Sequence, residues 1–223
     1  MGPNGGDVRQ LTSSNVIEEE PEWSPDGRWI TFDASAMSPD AAHFHTDIWV
    51  MRSNGSHATQ LTHGGFDVEP VFSPDGSRIA FGRITKPADD PTLQREAIDV
   101  MHVGGTHVRR VVAPSDVEHP GWSPNGRWIS FNIVPEDPRG AVVAVHPDGT
   151  GHHVIRHSNA RMRFFNAVWS PEGQALLAGC HDVIANIDQL CEMHADGSDV
   201  DVVVDGMPAG VNFPSWGVHA PAL

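Results

Sequence analysis

The chain has 223 residues, enough to bury a substantial core as one domain or one array. Asp and Glu outnumber Lys and Arg by 29 to 14, a formal charge of −15 that argues against nucleic acid as a partner, because phosphate binding rests on clustered cations. No apolar run approaches the ~20 residues that span a bilayer, so no membrane insertion is expected, and Met1 to Asp7 hold neither the basic nor the apolar stretch of a leader segment.

From Pro21 to Phe32 the chain reads as a strand, a tight turn and a second strand. The turn is Ser24-Pro25-Asp26-Gly27. Pro presets φ, Asp can hydrogen-bond the local backbone, and Gly takes the positive φ that closes a hairpin. Trp23, Trp29 and Phe32 flank it as large strand residues. The unit returns around Ser73-Pro74-Asp75-Gly76, Ser123-Pro124-Asn125-Gly126 and, weakened, Ser170-Pro171-Glu172-Gly173. A fifth start, Pro214-Ser215-Trp216-Gly217, stops before its turn. Successive turn serines are 49, 50 and 47 residues apart, and self-similarity at that period marks a propeller or an array.

Each repeat carries a second hairpin turn: Asn54-Gly55, Gly104-Gly105, Asp148-Gly149 and Asp196-Gly197. β-rich runs lie on both sides of each, so every repeat is four strands, A to D. One such meander cannot bury both of its faces, and packing neighbours around an axis solves this. The expected fold is therefore all-β, a single β-propeller domain over 1–223 with blades at about 20–62, 69–112, 118–157 and 165–204. Residues 1–12 align with 51–62 and supply a strand D, and 211–218 supply a strand A, which makes a partial fifth blade. An unpaired strand edge favours association, so a homo-oligomer formed through that incomplete blade is expected.

Chain length between the two turns varies mostly between strands B and C. The B–C loops are long and irregular, as from Ala34 to Thr46 and from Thr85 to Ala97. The A–B and C–D turns share one face and the B–C loops the other. Variable loops on a rigid scaffold are the usual place for binding.

The pattern P-x-W/F-S-P-D-G-x-x-I-x-F, then D-I-W-V-M, N-G-S and Q-L-T, resembles the TolB-like β-propeller repeat over nearly the whole chain, from Asn4 to Gly217. The resemblance implies the fold and a bacterial protein of the periplasm or the exterior. It leaves three kinds of role open: binding of partner proteins, a propeller beside a prolyl-oligopeptidase-like hydrolase domain, or a metal-binding oligogalacturonate lyase. No G-x-S-x-G elbow is present, so a serine hydrolase is not implied. A fold that hosts many activities cannot name one.

Of the 14 histidines, His57, His107, His152, His102, His146 and His194 recur at equivalent turn positions and read as structural. His43 and His45 lie in the first B–C loop and His181 in the fourth. The residue before each A-strand Pro position is Glu20, Glu69, His119, Asn166 and Phe213, and one residue earlier stand Glu118 and Asn212, among others. Strand A lines the channel, so these form a ring at its mouth. The expected binding residues are Glu20, Glu69, Glu118, His119, Asn166, Asn212, His43, His45 and His181. Glu20, Glu69 and His119 form a mixed O/N set that suits a divalent cation, Ca, Mn or Zn. A hydrated acidic mouth without an ion is the simpler reading. No residue is marked as catalytic. Trp23, Phe72, Trp122, Trp169 and Trp216 share one repeat position and read as inter-blade core. Cys180 and Cys191 allow a disulfide between neighbouring strands or two buried small side chains, of which the second is favoured. The expected function is a scaffold that binds a protein or a small ligand on its acidic long-loop face. The alternative is a metal-dependent lyase or hydrolase, acting on carbohydrate, with the metal at the channel mouth.

Overall fold

The computed structural model describes residues 6–37, 44–86, 94–133, 140–207 and 214. Among the described residues sixteen strands form four antiparallel sheets, each a simple meander of neighbours in sequence. The first sheet holds β1 (Ile17–Trp23), β2 (Trp29–Met37), β3 (Phe44–Arg52) and β4 (Thr59–Gln60). The second holds β5 (Asp67–Phe72), β6 (Arg78–Thr85), β7 (Arg95–His102) and β8 (Arg109–Ser115). The third holds β9 (Val117–Trp122), β10 (Ile129–Ile133), β11 (Ala141–Val145) and β12 (His153–His157). The fourth holds β13 (Met162–Trp169), β14 (Ala175–Asp182), β15 (Ile187–His194) and β16 (Asp201–Met207). There is no helix among the described residues.

The repeated turn is built by its own side chains. Ser24 is 6% exposed; its hydroxyl donates to Asp26 at 2.7 Å and accepts the Trp29 amide at 2.9 Å. Asp26 in turn accepts the Arg28 amide at 3.0 Å, and Gly27 closes the turn at φ 66°. Ser73 with Asp75 and Ser123 with Asn125 reproduce this network. In the fourth copy Glu172 is too long for the role, and only the bond from the Ala175 amide to the Ser170 hydroxyl survives, at 3.2 Å. The recurring Ser and Asp are thus spent on folding.

Apolar strand residues pack between sheets. Phe72, Ile79, Phe81 and Met101 of the second sheet meet Ile48 and Val50 of the first. Val117, Trp122 and Phe131 of the third meet Ala80, Ile98 and Val100 of the second. Phe164, Leu176 and Met193 of the fourth meet Val142 and Ala144 of the third. Burying each such large side chain contributes about 1.5–3 kcal/mol, so these seams hold successive blades together. Within the seam between the third and fourth sheets Cys180 and Cys191 are fully buried and joined by a disulfide between the adjacent strands β14 and β15. This corrects the expectation of two buried thiols: the strands lie side by side and bring the two Cα atoms to 6.0 Å.

The expected sorting of turns holds. The A–B turns Ser24–Asp26 and Pro74–Gly76 border one cleft together with the C–D turn Val103–Gly104. Strand A is innermost, since β1, β5, β9 and β13 all reach one axial cavity. At the outside, each strand D abuts the next blade's second turn: a Cβ on Gly105 would lie 2.9 Å from the Leu61 carbonyl oxygen.

The ends of the array differ from its middle. Phe72 and Trp122 are 5% and 8% exposed at the shared repeat position, but Trp23 is 55% exposed. Trp122 and Trp169 each lean on the preceding blade, through Arg78 and Ser130, and Trp23 has no sheet of described residues before it. Leu11 packs on Ile30, Phe32 and Met51 as Leu61 packs on Ile79, Phe81 and Met101. Pro214 lines the axial cavity together with Pro21, Pro70 and Pro120. The expected strands of a fifth blade are not among the assigned ones, and Trp216 lies outside the described residues.

Candidate functional site: the channel mouth

Each innermost strand breaks its register at the same point. The shifts fall between Glu19 and Glu22, Val68 and Val71, Glu118 and Gly121, and Phe165 and Val168. At the break Glu20, Glu69, His119 and Asn166 take φ of 48°, 55°, 56° and 52°. Non-glycine residues pay about 1–3 kcal/mol for such a conformation. The bulge turns the side chain out of the strand's alternation and toward the axis. Four consecutive blades therefore deliver four polar side chains to one cavity of about 310 Å³, bordered also by Glu22 and Pro214.

The cavity's polar groups are linked across blades. The Asp33 carboxylate accepts the Glu69 amide at 3.3 Å. The Glu69 carboxylate accepts the His119 amide at 2.6 Å and faces His119 Nδ1 at 2.7 Å. Glu118 Oε2 lies 3.8 Å from His119 Nε2. Asn132 donates to the Asn166 side-chain oxygen at 3.4 Å.

Burial pushes Glu20, Glu118, Asp33 and Glu96 upward. Glu20 is raised by burial and then by Glu69, and Glu118 by burial, partly relieved by His119. Asp33, 3% exposed, is pushed up to about 6 by burial. Glu96 on β7 is pushed up to about 9 by burial, with Glu69 and Glu118 adding to it. Its side chain occupies the space beside Gly82, and its buried Oε1 meets no hydrogen-bond partner among the described residues. For His119 burial alone favours the neutral ring, but the bond to Glu69 and the charges of Glu69, Glu118 and Glu20 outweigh it, so its pKa is raised.

The structure thus gathers Glu20, Glu69, His119 and Asn166, with Glu118 beside His119. It does not bring His45 or His181 to the cavity. His45 lies 3.4 Å from Asp47, and His181 Nδ1 lies 2.7 Å from Asp188 across β14 and β15. His43 and Asn212 lie outside the described residues. Asp33 and Glu96 escaped the sequence reading. Asp33 had a signal, since it interrupts the apolar strand Trp29–Met37 where the other repeats place Gly82, Asn132 and Gly179. Glu96 had none, because only the packing shows it turned inward.

Of the set expected for a divalent cation, Glu69 is engaged by His119 through both carboxylate oxygens, and no three His, Cys, Asp or Glu side chains among the described residues stand in a metal-holding group. Among the described residues no Lys or Arg borders the cavity.

The uncharacterized protein Atu1656 of Agrobacterium fabrum is 27% identical over 137 residues, 59% of this chain and 45% of that one. The chain thus spans less than half the length of that relative. The structure of TolB from Acinetobacter baumannii superposes with a TM-score of 0.70 at 14% identity, over 91% of this chain and 47% of that one. An oligogalacturonate lyase solved in complex with manganese superposes with a TM-score of 0.55 at 15% identity, over 91% of this chain and 70% of that one. These likenesses carry the fold and leave the activity open. The family model described as the TolB beta propeller domain matches residues 1–173, and with four bladed repeats around one axis the chain belongs to that family.

Proposed function

We propose that this propeller is a binding scaffold whose acidic channel mouth receives a basic group of a protein or small ligand. The observation that carries the reading is the row of strained bulges that aims Glu20, Glu69, His119 and Asn166 into one cavity. Backbone strain kept at the same point of four blades fits pre-organisation for a ligand. Glu69 and Glu118 are partly buried and Glu20 is exposed, so a cation passing Glu20 into the mouth would meet Glu69 in a medium less screening than water. The manganese-bound lyase neighbour suggests a metal-dependent enzyme as a second reading. The engagement of Glu69 by His119 weighs against it.

Calorimetric titration with a lysine-containing peptide and with its acetylated, uncharged counterpart tests the proposal. Binding of the first, weakened at least tenfold by the double change of Glu20 and Glu69 to Gln, supports it. Equal binding of both peptides, or none, overturns it. Manganese taken up in a 1:1 ratio and raising the melting temperature would favour the enzyme instead.

A further inference from the structure

The opposite face carries a feature that the acidic mouth does not explain. Between the second and third blades Arg78, Arg109, Arg127 and His146 border an open groove of about 570 Å³. The chain has only 14 Lys and Arg against 29 acidic residues, so three guanidinium groups in one groove depart from its average. Arg28, Arg83, Arg110 and Arg161 each have a carboxylate within 4.0 Å; among the described residues Arg78, Arg109 and Arg127 have none.

Their positions are supported. Arg78 stands where the first and third blades place Trp29 and Trp128, and its guanidinium lies over the Trp122 ring, 4.8 Å from its centre. Arg109 donates across the blade seam to the Pro147 carbonyl. His146 stacks on Trp128 at 3.8 Å, and its Nδ1 lies 2.8 Å from the Arg127 carbonyl, which sets Nδ1 as the donor. The carboxylates nearby are bonded within their own turns, and Asp148 and Asp75 attract Arg109 and Arg78 only from beyond ion-pair distance. Asp148 accepts the Thr150 amide at 2.9 Å and its hydroxyl at 2.6 Å. Asp75 is held by Ser73 and Ser77.

We infer that this groove is a second binding site, for an acidic segment of a protein partner. An open, solvated groove gives each ion pair only about 0–1 kcal/mol. A single small anion would therefore gain little, whereas an extended segment with several carboxylates can engage three guanidiniums at once, each able to grip a carboxylate with two bonds. Nucleic acid also carries negative charge, but its phosphates would run on past these three guanidiniums over a chain of net charge −15, whereas a short acidic segment can end within the groove.

Fluorescence anisotropy with a labelled peptide of ten Glu and Asp residues tests this at low and at moderate salt. The expected result is saturable binding that weakens as salt rises and falls at least tenfold in R109E/R127E, with R28E, on the same face beside Asp26, binding as the wild type does. Arg109 and Arg127 are exposed, so the variant should melt within a few degrees of the parent, and R109Q/R127Q provides a milder second variant. No binding, binding untouched by both double variants, or equal loss in R28E would overturn the proposal. A single-stranded oligonucleotide of matched charge that binds more tightly than the peptide would overturn the assignment to a protein partner.

Discussion

Glu69 and His119, at the same point of two consecutive blades, are joined twice: the Glu69 carboxylate accepts the His119 amide at 2.6 Å and meets its Nδ1 at 2.7 Å. A side chain of one blade thereby fixes both backbone and ring of the next. Replacing Glu69 by Gln removes the charge from this contact. The expected loss of stability is about 1–3 kcal/mol, the worth of a hydrogen bond to a charged group. In NMR titration the His119 pKa should move downward, because the Glu69 charge and its charge-assisted bond go, while burial and the weaker pull of Glu118 and Glu20 stay. An unmoved His119 titration would show that the pair is not electrostatically coupled.

Glu96 makes the fold sensitive to alkali. Its folded pKa is raised from 4.5 to about 9, so the native state keeps a proton that the unfolded chain releases. The stability this proton supports is complete below about pH 4.5 and is lost as pH rises toward 9. Asp33 adds a loss of the same sign between 3.8 and about 6, and His119, also raised, adds to it as it deprotonates. Urea midpoints measured at pH 5, 7 and 9 should therefore fall. Glu96→Gln should flatten the upper part of that fall, and an unchanged slope in the variant would exclude Glu96 as its source.

The disulfide closes a loop with a sequence separation of 11. Loop-closure entropy alone makes its loss cost about 2–3 kcal/mol. Replacing both cysteines by Ala should lower the melting temperature by several degrees. Because both sulfurs are fully buried, dithiothreitol should reduce the native protein far more slowly than the urea-unfolded chain, as thiol counting will show.

Trp122→Ala should cost about 3–5 kcal/mol, since the ring is buried in an inter-blade seam. Trp23→Ala at the same repeat position should cost about 1 kcal/mol or less, because over half of its surface is already exposed. Equal costs would mean that something covers Trp23 in solution. Molar mass by light scattering would then show whether a second copy does so.

Two turn glycines separate strain from collision. Gly27 has φ 66° with nothing within 4 Å of an added Cβ, so Gly27→Ala should cost only about 1–2 kcal/mol. Gly197 has φ 81°, and its Cβ would run into the Ile155 backbone carbonyl. Gly197→Ala should therefore cost clearly more, and thermal melts of the two variants decide it.

The repeated turns, their spacing near fifty residues and the alternation of the strands were legible in the sequence, because turn chemistry and pleat are local. From them follow the propeller, the two unlike faces and the row of Glu20, Glu69, His119 and Asn166. The tertiary structure alone decided which of these groups touch. The bulge that lifts each one to positive φ, the grip of Glu69 on His119 and the inward turn of Glu96 beside Gly82 depend on how one blade leans on the next. So do the disulfide, the exposure of Trp23 and the convergence of Arg78, Arg109 and Arg127. Local preferences set the shape of each sheet, and the packing between sheets sets distances that no single repeat contains.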